Sequence, residues 1–380
     1  MKISGDWIDH PGTQALCKVL AEAGHQALFV GGCVRNALLN VPVADIDIAT
    51  DARPEIVSNL AETAGFRVVP TGIEHGTVTV ITQGLAHEVT TFRRDVETDG
   101  RRAVVAFSHD VAEDAARRDF TMNALYARAD GVVLDPLGGL PDLMSRRVRF
   151  VGEAEARIRE DYLRILRFFR FYAVYGDPAG GIDAGGLAAC AANADGIEGL
   201  SRERVGAEMR KLLGARDPAP AVAAMAQTGI LARVLPGSDD KALSVLVHLE
   251  DDLLPRWQRR LAVMGGMDPA GALRLSKSEI RSNAAIRAEI GLNLTPAALG
   301  WKHGRTVATD TVLCRAALFE NRLPPNWQRE IARGVTSTLP VTAADLMPAF
   351  QGAALGKKLH EIQARWLASD LYLRKSDLLV

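Results

Sequence analysis

Cysteine is scarce: a chain of 380 residues has four, Cys17, Cys33, Cys190 and Cys314, set far apart and without a C-x-x-C pair. A chain of this length buries enough apolar surface to fold without staples, so they read as free thiols in a reducing compartment. Neither sign of charge is in excess, with 45 Lys and Arg against 46 Asp and Glu and a formal net charge of −1. The molecule therefore lacks the long-range basic field that announces a nucleic-acid binder, and any such binding has to be local. Residues 251–380 carry a modest basic excess, 18 Lys and Arg against 12 Asp and Glu. No apolar run approaches the roughly 18 uncharged residues of a membrane span, and the opening MKISGDWIDHPG lacks the basic and apolar regions of a secretory signal. A cytoplasmic protein is expected. The eight histidines form no H-x-x-x-H or H-E-x-x-H pattern, so structural zinc is not expected. No repeat of fixed period is visible.

What is present is the composition of a folded protein, 48% hydrophobic and 24% charged, and a length that implies two or three domains. Up to about residue 150 short β-type runs alternate with helical ones. Gln26–Val30 and Ala44–Ala49 predict strands, and Cys33–Leu39 and Pro54–Ala64 predict helices. Thr77–Thr82 and His87–Phe92 alternate β-branched and polar residues about Gln83-Gly84, a hairpin signal. Charged Asp95 to Arg102, with Asp99-Gly100, has no apolar periodicity and predicts a mobile loop. From about Glu153 the pattern is helical nearly to the end, broken at Gly176–Gly186 and at Pro236-Gly237. An α/β head followed by an all-helical body is the expected architecture.

Chemistry concentrates in a few segments. Leu28-Phe-Val runs into Gly31-Gly32, where backbone N–H groups can approach an anion, and Arg35 follows on the next helix to neutralise a phosphate. Asp45 and Asp47 lie two apart in a β-type run, so both carboxylates emerge on one face. Two carboxylates that close repel unless a cation lies between them, and Mg²⁺, which bridges to substrate phosphates, is the obvious candidate. Glu88, in the next alternating strand, is a candidate third carboxylate. Arg117-Arg118-Asp119 offers phosphate ligands and an acceptor for a ribose hydroxyl. In Glu160-Asp161-x-x-Arg164-x-x-Arg167-x-x-Arg170 the charged residues recur at helical spacing, Asp161 and Arg164 as i,i+3 neighbours, while Leu163, Leu166, Phe168 and Phe169 are available for packing. Near the end, Gly352 and Gly356 precede Lys357-Lys358, predicting a helix start that could face a phosphate. Each segment alone has a plainer reading, as a turn, a capped strand end, a solvated charge cluster or an ion-paired helix face.

Taken in order, Gly-Gly-x-Val-Arg, D-x-D, His75-Gly-Thr-Val-Thr-Val, Glu88-Val-Thr-Thr-Phe-Arg, Arg-Arg-Asp-Phe-Thr-x-Asn and Glu-Asp-x-x-Arg-x-x-Arg resemble the bacterial and eukaryotic class of CCA-adding tRNA nucleotidyltransferases and their poly(A) polymerase relatives. The resemblance spans residues 25–215 and continues more weakly from Leu346 to Trp366. It implies a head of DNA polymerase β-like nucleotidyltransferase fold over 1–150, a helical neck over 151–215 that recognises the base, and a helical body and tail over 216–380 that bind tRNA. It further implies that Asp45 and Asp47 are catalytic and hold Mg²⁺, and that Gly32, Arg35 and Arg118 contact the nucleotide. Asp161, Arg164, Arg167 and Arg170 match the motif that handles the base and triphosphate. Asp161 can accept from the amino group of C or A while Arg164 donates to the ring acceptors, so the pair stands in for a template.

The implied activity is addition of CCA to tRNA from CTP and ATP. Poly(A) polymerase, partial CC- or A-addition, a small-molecule nucleotidyltransferase and a non-catalytic RNA-binding relative are the alternatives. tRNA is the implied partner, with no DNA and no membrane. One departure stands out: Asn36 occupies a position where the family commonly has Asp, and an amide can keep the hydrogen bonds there but not the charge.

Overall fold

Val, Ile and Thr crowd into the short runs of the first half of the chain. In the computed structural model, which describes residues 1–73, 76–99 and 102–380, these runs pair into a seven-stranded sheet. Its strands are β1 (Leu28–Val30), β2 (Ile46–Thr50), β3 (Arg67–Gly72), β4 (Thr77–Thr82), β5 (Leu85–Thr91), β8 (Tyr126–Ala127) and β9 (Val133–Leu134), in the order β3-β4-β5-β2-β1-β8-β9. All neighbours are antiparallel except β2 and β5, which run parallel. The predicted hairpin forms as β4 and β5, with Gln83 and Gly84 both at positive φ in its two-residue turn. Helices Gly32–Leu38 and Pro54–Thr63 lie where periodicity put them, the second with Pro in its first turn.

Two readings change. β3 had no alternating apolar signal, because Arg67-Val-Val-Pro-Thr-Gly is an edge strand whose pairing with β4 is itself irregular. The expected loop at 95–102 is largely a two-stranded ribbon, β6 (Arg93–Asp99) with β7 (Arg102–Phe107). A ribbon outside the main sheet needs no apolar face, so the missing periodicity did not exclude strands, and Ala103–Phe107 was the overlooked β-forming run. The motif residue His75 and Gly100 lie outside the described residues.

Two compact units make up the chain, Met1–Leu200 and Ser201–Val380. Downstream of Ala154 the described residues contain helices and no strand. In the first unit Phe120, Phe150, Phe168 and Phe171 pack ring on ring, which fastens the helix Leu163–Tyr175 to the end of the head.

The second unit opens on the helix Arg202–Leu213, whose first turn is capped by the Ser201 side chain. Its interior holds a buried ion network: Glu250 accepts from Arg259 and Arg260 at 2.7 Å each, while Asp310 pairs with Arg256 at 2.9 Å. The helix Gly352–Ala368 already begins at Gly352. Lys357 and Lys358 therefore lie in its second turn, with Lys358 3.8 Å from Glu361, and the expected phosphate-facing start is not formed by them. No helix among the described residues is long and apolar enough to cross a membrane. All four cysteines are free and buried.

Candidate active site

Sheet register assembles the carboxylates. In the antiparallel β1–β2 pair Phe29 faces Ile48, so the start of β2 lies beside the end of β1 and its Gly31-Gly32 turn. β2 begins at Ile46, one residue after Asp45, leaving Asp45 exposed at the strand's mouth and Asp47 half-buried within it. The alternate residues Ile46 and Ile48 are buried, as the period of two requires.

The parallel β2–β5 pair sets Asp47 directly beside Glu88, with Ile46 beside His87 on the opposite, core face. His87 is a buried core histidine bonded to Thr13 Oγ1 at 2.9 Å and to the Val80 carbonyl at 3.3 Å. Burial pushes the Asp47 carboxyl up to about 6; the charges of Glu88 and Asp45 add to this and those of Arg118 and Arg35 oppose it. Among the described residues no three His, Cys, Asp or Glu side chains close into a preformed metal cage. The site is a set of hard oxygen donors in which the ionisation of Asp47 is disfavoured. That fits an ion such as Mg²⁺, which takes one or two carboxylates and fills its other positions with water and phosphate.

Gly31 makes the turn at φ 69° and ψ −118°, a conformation that L side chains avoid, and a Cβ there would stand 3.3 Å from Arg118 Nη1. Its N–H donates to the Leu125 carbonyl at 3.1 Å and is not offered to an anion. Gly32 opens the helix that carries Arg35. Arg35 is buried, its guanidinium bonded to Asn36, Asn123 and Tyr175, so it lies behind the turn rather than on its open side.

Arg118 is aimed at the turn by a residue that motif reading overlooked. Asp114, 1% exposed, accepts from Arg118 Nη2 (3.0 Å) and Tyr126 OH (2.7 Å) at one oxygen, and from Arg117 Nε (3.0 Å) and the Arg93 N–H (3.2 Å) at the other. Burial alone would raise its pKa, but the two arginines and the bonds they donate hold the carboxyl at about 2. Asp110 capping the short helix Val111–Ala116 was the available signal, since it turns Asp114 inward one turn later.

Asp161 does not lie within a helix. It is the break between Ala154–Glu160 and Leu163–Tyr175, at φ −154°, where Oδ1 accepts from the Leu163 N–H at 3.1 Å and its carbonyl from the Arg164 N–H at 2.9 Å. A short acidic side chain that caps the next helix ends the previous one, which overrides the i,i+3 expectation. Arg164, Arg167 and Arg170 recur every three residues along Leu163–Tyr175 and are each half-buried, while Leu163, Leu166, Phe168 and Phe169 are buried. Arg164 donates to the Glu160 carboxylate and to the carbonyls of Arg157 (2.8 Å) and Arg117 (3.1 Å). Arg167 pairs with Asp119, whose other oxygen accepts from the Phe120 N–H (2.8 Å) and from Asn123 (2.9 Å). Asp119 is thus occupied as a strut between head and helix, and not poised to receive a ribose hydroxyl. Arg170 lies over the Phe171 ring, 4.5 Å from its centroid.

A family model described as the poly A polymerase head domain matches residues 27–149, and one described as a probable RNA and SrmB-binding site of polymerase A matches residues 182–241. The CCA-adding enzyme of Lacticaseibacillus paracasei is 33% identical over 94% of this chain and 92% of its own. The mitochondrial CCA tRNA nucleotidyltransferase 1 of Mus musculus is 43% identical over 53% of this chain, and the match spans about half of that relative, 47%. Among solved structures, the Bacillus stearothermophilus CCA-adding enzyme in complex with CTP superposes with a TM-score of 0.74 at 30% identity, covering 94% of this chain and 93% of that one. Similarity over nearly the full length of two such relatives, with the sheet and turn described above, places this chain in the family of CCA-adding enzymes, nucleotidyltransferases that generally work with a divalent metal ion.

Proposed function

We propose that this protein adds C, C and A to the 3′ end of tRNA from CTP and ATP without a nucleic-acid template, releasing pyrophosphate, in the cytoplasm. The observation that carries this reading is the registration of Asp47 beside Glu88, with Asp45 at the strand mouth next to the Gly31 turn. A binding module has no use for such a crowd of carboxylates. Asp45 and Asp47 are the groups that would hold Mg²⁺, with Glu88 adjacent. When bound, the ion supplies a Lewis acid that makes the 3′ hydroxyl a better nucleophile and offsets charge on the phosphates.

In this reading the RNA 3′ oxygen gives up its proton to solvent and bonds to the α-phosphorus as the bond to pyrophosphate breaks. Gly32 lets the nucleotide approach the backbone, Arg118 faces the triphosphate, and Arg35 adds positive charge from behind the turn. Asp161 and Arg164 read the base edge, and Arg167 and Arg170 complete the basic face of the same helix. Residues 1–150 act as head and 151–215 as neck. Residues 216–380 act as body and tail, holding tRNA by shape and phosphate contacts.

The test is extension of tRNA transcripts ending before CCA, at C and at CC, each given CTP, ATP or both with Mg²⁺. Growth to a complete CCA that then stops is the expected result. Unlimited A addition would make the protein a poly(A) polymerase, and RNA binding without extension a non-catalytic relative.

Base selection gives a second expectation. Asp161→Asn keeps the acceptor that caps the Leu163 helix, so the fold is retained. The new amide donates where the carboxylate only accepted, so it can satisfy the carbonyl of uracil. Preference for CTP over UTP should fall by about 10- to 100-fold, the value of one base-edge contact, measured as the ratio of kcat/KM on a transcript ending before CCA.

A further inference from the structure

Arg35 is a buried cation with no anion in direct contact. It is 6% exposed, and each of its hydrogen-bond acceptors is neutral: the Asn123 amide, the Asn36 amide (3.2 Å from Nε, 3.0 Å from Nη2) and the Tyr175 hydroxyl (2.7 Å from Nη2). Among the described residues no carboxylate pairs with it. Asp119 is reached only through Asn123 and is itself paired with Arg167. The guanidinium carbon lies instead 4.1 Å from the centroid of the Tyr175 ring and 5.2 Å from that of Phe171. Burial lowers the pKa of Arg35, and the Asp119 charge opposes this only in part. A guanidinium in such surroundings tends to leave for water unless something holds it. Its location gives it a use, because a Cβ on Gly32 would stand 3.8 Å from Arg35 Nη2.

We propose that Tyr175 is a positioning residue for nucleotide binding, its hydroxyl and ring face holding Arg35 against the Gly31-Gly32 turn, where neighbouring Asn36 offers an uncharged amide and no carboxylate. The inference rests on reading the site as a nucleotide site. Tyr175 ends the helix that carries Arg164, Arg167 and Arg170, so one contact ties the triphosphate side of the site to its base-reading side. Asn36→Asp would set a carboxylate oxygen where the amide oxygen now accepts twice, a second way to hold the same guanidinium. The two positions should therefore substitute for one another, which a merely structural tyrosine would not do.

The experiment measures CTP and ATP binding by calorimetry, and KM and kcat for tRNA extension, in the full-length protein, with melting temperature as the check on folding. Tyr175→Leu should raise KM and Kd for both nucleotides about tenfold and leave kcat within about twofold, because a cation held in the ground state contributes uniform binding. Tyr175→Phe, which keeps the ring, should raise them about threefold. Asn36→Asp added to either variant should bring KM back to within about twofold of the unmutated protein. Unchanged nucleotide affinity in Tyr175→Leu would overturn the proposal, as would a loss that Asn36→Asp does not repair. If Tyr175→Leu does not fold, the Tyr175→Phe pair decides by the same two criteria. A wild-type protein that binds neither CTP nor ATP would remove the nucleotide reading and this inference together, whereas binding that Tyr175 does not influence removes this inference alone.

Discussion

Asp47→Asn should lower the rate of tRNA extension by at least about 10³-fold, since charge stabilisation by a metal ion is worth several kcal/mol and each 1.4 kcal/mol is a decade. The side chain keeps its shape, so no cavity opens in β2. It also loses a charge that burial, Glu88 and Asp45 all disfavour, so the melting temperature should hold or rise while activity collapses. That opposition separates a catalytic carboxylate from a structural one. tRNA affinity in a filter-binding assay should stay within about twofold, because the phosphate contacts proposed for residues 216–380 are untouched. Glu88→Gln, at the exposed neighbouring position, should cost about tenfold. Extension by Asp47→Asn within tenfold of the native rate would remove Asp47 from the machinery, and the proposed mechanism with it.

Asp114→Asn is the second large effect, of the opposite kind. Asp114 is the shared acceptor of Arg117, Arg118, Tyr126 and the Arg93 backbone. Removing its charge leaves two half-buried guanidinium groups around a neutral amide, and breaking a buried pair in this way costs about 3–5 kcal/mol. A lower urea midpoint at pH 7 should report it. Arg118 should also lose its aim at Gly31, with extension falling about 100-fold. The pH dependence has a definite sign. The folded carboxyl is held at about 2 against an ordinary 3.8, so the stabilisation is complete above roughly pH 4 to 5 and lost as pH falls towards 2. The gap in urea midpoint between the native protein and Asp114→Asn should be constant from pH 8 to 5 and narrow at pH 3. A gap that widens on acidification would mean that Asp114 is not an ion-pair acceptor in the folded protein.

What the sequence made legible was local. Asp45 and Asp47 two apart in a β-type run, Gly31-Gly32 after a strand and three arginines at helical spacing each state their geometry within a few residues. The partners of those groups were hidden because folding brings them in from far along the chain. Glu88, far along the chain, meets Asp47 only through a parallel strand pair, and Tyr175 meets Arg35 from the far end of another helix. Asp161 was misread for a different reason. Its spacing to Arg164 fits a helix, but its side chain competes for the backbone and starts a new one. Strands β6 and β7 were missed because a two-stranded ribbon outside the main sheet does not require the apolar alternation by which strands were sought.

The parallel pairing of β2 with β5 has one more consequence. A slip of one residue in that pair would bring His87, now a core histidine, to the open face beside Asp47 and send Glu88 into the core. The carboxylate site can exist only in chains whose strands have paired correctly. In a preparation from any expression host, the fraction of molecules able to transfer a nucleotide therefore counts the correctly registered ones. A single-turnover burst titrates the quality of refolding, which gel purity and helical circular dichroism do not report.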